Sequence, residues 1–326
     1  MDVPLWAWGV TAAVVVILLV VDFLGHVHRP HEPTLRESAT WSGAYVGVAL
    51  AFGTLLWFVA GATYGQEFFA GYITEKSLSL DNLFVFVLIM ASFKVPRVNQ
   101  QKVLLFGIIA ALILRTLFIF LGAALVTRFS FVFYIFGIFL LWTAYTQAKP
   151  KGQEEYHENA AIRLTRKLFP VTPSYVGDKF FHRIDGSLYI TPMVIVIAAV
   201  GMADLMFAVD SIPAIFGLTD HVFIIVTANA FSLLGLRQLF FLIDGLLEKL
   251  IYLSYGLAAI LILIGSKLII HALHTNTLGF INQGNAVTTI PEIPTNISLL
   301  IIVGILALTT LASLIGARRA KGKSKT

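Results

Sequence analysis

Along the chain, apolar runs long enough to cross a bilayer alternate with short polar connections. A spanning helix needs about 20 mainly apolar residues. Nine stretches qualify: 4–24, 41–61, 67–91, 103–125, 129–147, 190–217, 222–245, 250–271 and 296–316. The first begins at Pro4 with neither a basic segment before it nor a small-residue cleavage pattern, so it reads as a retained helix and not a secretory signal. The pattern predicts an all-α polytopic membrane protein. Two connections are long enough for structure of their own. KFFHRIDGSLYIT (179–191) sets Asp185-Gly186 between two β-prone runs, which predicts a hairpin with a type I′ turn. The polar stretch 275–296, with its Asn, Thr and Pro, predicts an irregular outer loop.

The third and sixth stretches interrupt the apolar pattern in the same way. TEKSLSLDNLFVFV (74–87) aligns with ADLMFAVDSIPAIF (203–216), which places Glu75 on Asp204 and Asp81 on Asp210 with the same six-residue spacing. LILRTLFIF (112–120) resembles LGLRQLFFL (234–242), superposing Arg115 on Arg237, and FGIFLL (136–141) weakly parallels YGLAAI (255–260). Three helices repeat, and three is odd, so the two copies must run in opposite directions, as in transporters built from inverted repeats around a midplane site. The chain then divides into an N-terminal two-helix segment (1–62), a first three-helix repeat (63–147), a cytoplasmic loop with the hairpin (148–189), an inverted second repeat (190–275), and an outer loop, last helix and basic tail (276–326).

Composition agrees with this architecture, with 58% hydrophobic and only 13% charged residues and a mean hydropathy of +0.85. The net charge of +5 does not point to nucleic acid, because the basic residues lie between the apolar runs and in the tail, where they act as topology signals. Eighteen of the 23 Lys and Arg fall on one side of the nine-span arrangement and only Arg128 on the other. That asymmetry predicts a plasma-membrane protein with its N-terminus outside and its C-terminus in the cytoplasm. The chain has no cysteine, which removes disulfides, thiolate metal sites and cysteine nucleophiles.

An ionised side chain at the bilayer centre costs about 2.5–3.5 kcal/mol even on insertion scales, so recurring acids there point to a functional site, with structural ion pairing as the other account. Glu75, Asp81, Asn82, Asp204, Asp210 and Ser211 form the candidate metal ligands, all hard oxygen donors suited to Mn²⁺, Mg²⁺ or Ca²⁺. Lys76, Arg115 and Arg237 supply supporting charge. A six-residue step turns 600°, so paired acids stand about 120° apart and cannot share one helix face. Pro213, which cannot donate to the carbonyl of Val209, suggests a break that would expose a backbone oxygen beside Asp210. Met202 and Met206 precede Asp210 at i−8 and i−4, where a thioether would favour Mn²⁺, although methionine is also ordinary core filler. His26, His28 and His31 read as a solvated loop, His271 and His274 as too few ligands for a metal, Asp22 and Asp244 as interfacial, and Lys267 as snorkelling outward. No HExxH or GxSxG pattern argues for an enzyme.

The segments EKSLSLDNLFVFVLIM, DLMFAVDSIPAIFGLT, FFHRIDGSLYITPM and GLRQLFFL resemble the TerC family of integral membrane proteins, including its Alx branch, over about residues 35–275. The resemblance implies a multispanning protein linked with tellurite resistance, alkaline response and, in several members, Mn²⁺ export. By position it carries the motif acids onto Glu75, Asp81, Asp204 and Asp210, with Asn82 beside them. The expectation is therefore a secondary transporter that exports a divalent cation, most readily Mn²⁺, in exchange for protons. It would hold no permanent cofactor, and its partners would be the lipid bilayer, the metal ion and protons. The alternatives are a membrane scaffold that assists insertion or the secretion machinery, and a tellurite or alkaline stress protein without transport of its own.

Overall fold

The computed structural model describes residues 3–27, 33–129, 131–149, 170–184, 186–243 and 252–323, without the side chains of His26, Val27, Asp81, Ile243 and residues 317–323. The helices follow the apolar runs: α1 (Leu5–Asp22), α2 (Leu35–Val59), α3 (Ala62–Ser92), α4 (Arg97–Arg128), α5 (Val132–Ala148), α6 (Pro192–Phe216), α7 (Val222–Leu233), α8 (Leu236–Ile243), α9 (Leu253–His274) and α10 (Thr295–Lys323). Among the described residues, seven helical stretches are long and apolar enough to cross a membrane. The expected third and fifth spans fall outside that set for different reasons. α3 has 31 residues, but Glu67, Glu75, Lys76 and Asp81 dilute its apolar character, whereas α5 is apolar but only 17 residues long.

Two expectations about helix continuity need correcting. α6 stays helical through Pro213 and ends at Phe216, so the proline withholds one donor from the Val209 carbonyl without breaking the helix. The break falls in the expected seventh span, between α7 and α8. Leu234 there is extended (φ −60°, ψ 131°) and Gly235 takes φ +81°, a conformation that favours glycine. A side chain at Gly235 would also meet Tyr45 Cβ at 3.0 Å.

Packing joins the two halves of the chain. α5 lies along α9, α4 against α6, and α3 against α7. The first of these contacts is close because Gly137 and Gly265 face each other, and a Cβ on Gly137 would approach the Gly265 carbonyl oxygen at 2.9 Å. Leu83, Phe86, Leu104, Val196 and Val200 fill the core at one end of the bundle. Phe68, Ile119, Ile215 and Phe231 belong to a second cluster. Only 11% of the apolar stretch of α10 and 17% of that of α1 is buried. Both helices leave their apolar surface open, as expected of helices that face lipid.

Strands β1 (Phe181–Ile184) and β2 (Ser187–Ile190) form an antiparallel hairpin with Ile184 opposite Ser187. Gly186 in its turn has φ +83°, and Asp185 lies outside the described residues. The segment clasps the α3–α4 turn. Tyr175 Oη donates to the Phe93 carbonyl at 2.8 Å, Asn99 to the Gly177 carbonyl at 2.9 Å, and Lys102 Nζ meets Asp178 Oδ2 at 2.8 Å. The Lys102 hydrogen bond holds the Asp178 carboxyl below the ordinary carboxylate range.

Candidate functional site

Arg115 on α4 is fully buried and organises the centre of the bundle. Its guanidinium grips Asp204 of α6 with two bonds, Nε to Oδ2 at 2.7 Å and Nη2 to Oδ1 at 3.1 Å. Nη1 reaches Glu75 Oε2 of α3 at 2.7 Å and Ser211 Oγ at 3.0 Å. Asp204 and Ser211 can share one cation because seven residues complete about two helical turns. A planar fork between two carboxylates is a geometry that arginine serves better than lysine. The centre holds two acids against one base, and among the described residues Glu75 Oε1 has no well-formed hydrogen bond. Leaving a buried acceptor unpaired costs roughly 1–3 kcal/mol.

Asp210 faces elsewhere, as the 120° step requires. It borders a cavity of about 70 Å³ whose polar lining is Asn82, Thr143, Gln147 and Asp210, with Leu78, Phe207, Leu257 and Leu261 closing the sides. Thr143 Oγ1 donates to Asp210 Oδ1 at 3.3 Å, and among the described residues no basic side chain lies against this carboxylate. The space exceeds what one water needs. Asn82, buried on α3, joins Asp210 here, while Glu75, Asp204 and Ser211 gather on Arg115. The Asp81 side chain lies outside the described residues. Among the described residues, no three His, Cys, Asp or Glu side chains stand close enough to hold a metal ion together. Met206 is 66% exposed, so its thioether points away from the site.

Two of the supporting charges act at other places. Arg237 pairs with Asp22 of α1 (Nη2 to Oδ1 at 2.6 Å, Nε to Oδ2 at 3.1 Å) and also bonds Gln101, while Gln238 donates to Asp22 at 2.6 Å. Asp22 is thus a buried ion-pair partner and not the interfacial, solvated residue its position suggests. Lys76 Nζ donates to the carbonyls of Ser232 at 3.0 Å and Leu234 at 3.3 Å, the oxygens freed at the α7–α8 break. Thr143, Gln147 and Asn229 escaped the sequence reading. A lone amide in the apolar run VFIIVTANAFSL was the available signal for Asn229.

A larger cavity of about 350 Å³ opens at the end of the bundle away from the hairpin, with Glu67, Asp220, His221, Lys267, His271 and Glu292 in its lining. Lys267 reaches Thr295 Oγ1 at 3.3 Å within this wall instead of extending outward. His271 Nδ1 bonds Glu292 Oε1 at 3.0 Å, and His274 Nδ1 stands 3.1 Å from the same oxygen without closing a good hydrogen bond. Burial works to raise Glu292, but the two imidazoles outweigh it and hold this carboxyl below its ordinary value. His28 and His31 lie outside the described residues, as do the side chain of His26 and Asp244.

The family model described as the integral membrane protein TerC family matches residues 60–321, which extends the likeness well beyond residue 275. An uncharacterized membrane protein of Mycobacterium tuberculosis is 48% identical over 316 residues, covering 95% of this chain and 79% of that protein. One from Myxococcus xanthus is 38% identical over 315 residues, covering 96% and 93%. Alx of Escherichia coli K12, described as a candidate membrane-bound redox modulator, is 39% identical over 273 residues, covering 81% and 85%. No solved structure matches the chain.

Proposed function

The chain belongs to the integral membrane protein TerC family, and from that premise we propose that it is a secondary transporter, and not an enzyme, which exports a divalent cation across the plasma membrane in exchange for protons. Mn²⁺ is the favoured cargo. The observation that carries this reading is Asp210, a carboxylate with no basic partner among the described residues, set beside amide and hydroxyl oxygens in a cavity inside the helical bundle. A bare carboxylate in the membrane interior is costly, and either a proton or a hard cation removes the cost. Alternation between the two at one carboxylate is the simplest form of exchange.

On this reading α3, α4 and α5 form one repeat and α6, the α7–α8 pair and α9 form its inverted copy. α3 packs on α7 as α6 packs on α4, and α5 meets α9, the pairing that an internal two-fold axis would produce. Counting α3 and α5 as crossings gives nine spans, with the N-terminus outside by the basic-residue asymmetry. The broken α7–α8 element fits a transporter, because non-helical backbone at membrane depth is tolerated where protein or a polar cavity covers it.

The description of Alx favours a second reading, redox modulation. This chain has no cysteine, so such a role would run through the cell's metal balance and not through a thiol. A scaffold for secretion would keep its function without Asp210. The test is transport in proteoliposomes with a Mn²⁺-sensitive dye inside and an imposed pH gradient. Mn²⁺ should move against the proton flow in the wild type. A wild-type protein that moves no Mn²⁺ under any gradient would overturn the proposal.

A further inference from the structure

We propose that Asn229 and the free oxygen of Glu75 form a second cation station, separate from the Asp210 cavity, in the seam between α3 and α7. The inference rests on the transport reading above. Arg115 engages only Oε2 of Glu75, so Oε1 is left fully buried without a well-formed hydrogen bond among the described residues. Asn229 on α7 is 1% exposed, and among the described residues neither of its amide atoms makes a well-formed hydrogen bond. Its side chain stands beside the Glu75 carboxylate, within reach of a loose side-chain hydrogen bond but without the geometry of a well-formed one.

The surroundings have the same character. Ser79 lies one turn beyond Glu75 on α3 and Ser232 three residues beyond Asn229 on α7, spacings that keep each pair on one helix face. Both hydroxyls are 0% exposed and unpaired. Buried polar groups nearly always find partners, so four unpaired ones on two packed faces indicate a ligand that is not a protein atom. Charge selects its sign: Glu75 and Asp204 outnumber Arg115 by one negative charge, and the Lys76 ammonium is turned to the carbonyls at the helix break. A carboxylate, an amide and two hydroxyl oxygens make a hard donor set with no sulfur or imidazole, which suits a divalent cation of the Mn²⁺ and Mg²⁺ class that retains some of its water.

Titration of Mn²⁺ into the full chain in detergent, followed by calorimetry, tests the assignment. Asn229→Leu removes both amide atoms at similar size and should weaken one binding event at least ten-fold. Asn229→Asp, which adds an anionic oxygen, should tighten the same event. Ser79→Ala, the milder change, should weaken it several-fold and serves should Asn229→Leu fail to give a monodisperse protein. Asp210→Asn should abolish the other event and leave this one. Wild-type affinity in both Asn229→Leu and Ser79→Ala would overturn this station alone, whereas a wild type that binds no Mn²⁺ would overturn it together with the transport reading.

Discussion

Asp204 and Asp210 lie six residues apart on α6, about 9 Å along its axis, and occupy opposite situations. Both oxygens of Asp204 are bonded to Arg115 and its surface is 1% exposed. Asp210 is half-buried, accepts one long hydrogen bond from Thr143 and borders open space. The Arg115 centre is saturated on the Asp204 side, and breaking it would leave buried charge behind. The Asp210 cavity is unsaturated, so it can gain a ligand without losing a contact. Two acids of one motif therefore need not share a role. The helical step sends the two acids to different neighbours, and the neighbours decide which one holds the bundle together and which one is available to a cation.

Removing the saturated partner should have the largest effect on the folded protein. Arg115→Leu strands two carboxylates, and loss of one member of a buried ion pair typically costs about 3–5 kcal/mol. We expect the variant to fail to accumulate, or to unfold well below the wild-type temperature in detergent. Pairing it with Asp204→Leu and Glu75→Gln should recover much of the loss, because apolar replacement of a whole buried ionic cluster is often tolerated. Near-normal stability of Arg115→Leu alone, measured by thermal unfolding, would erase the contrast between the two regions.

Asp210→Asn should behave in the reverse way. The substitution keeps size and a hydrogen-bonding oxygen, removes no ion pair, and should shift stability by less than about 1 kcal/mol. Mn²⁺ flux in proteoliposomes should nevertheless disappear, since the amide can neither take up a proton nor offer a charged ligand. A transport-competent Asp210→Asn protein would move the functional site away from the cavity.

The division between these regions was partly legible beforehand. Apolar runs located the helices, because bilayer thickness imposes a length that composition reveals. The 120° offset foretold that Asp204 and Asp210 would part. Other contacts could not be read this way. Arg237 looks like a second Arg115 because the sequence alignment of the two segments superposes them, but its partner Asp22 lies 215 residues away in a helix outside the aligned segments. Pro213 suggests the helix break, whereas Gly235 supplies it: the proline removes a single hydrogen bond that the helix runs past, and a glycine's φ is set by the packing around it. Met206 has the right spacing from Asp210, but spacing cannot say which neighbour a face meets, and this one faces outward. The lining residues Thr143 and Gln147 come from α5, which carries no charged residue to draw attention.

The smallest expected effect sharpens the contrast at the level of one hydrogen bond. Thr143 Oγ1 stands 3.3 Å from Asp210 Oδ1, long for a hydroxyl donor, so the bond contributes little to the fold. A typical net hydrogen bond is worth about 0.5–1.5 kcal/mol, and this one should fall at or below the lower end. Thr143→Val keeps the shape and deletes the hydroxyl, so unfolding should move by only a few tenths of a kcal/mol. Cargo binding should respond more, because the hydroxyl oxygen adjoins the carboxylate and can join it in coordinating a cation. A loss of about 1 kcal/mol there corresponds to roughly a five-fold rise in the Mn²⁺ concentration for half-maximal flux. Thr143→Ser, which restores the hydroxyl, should return that concentration towards the wild-type value. If Thr143→Val instead lowers stability as much as it lowers affinity, the hydroxyl supports packing, and the Asp210 cavity is less open to a ligand than its lining implies.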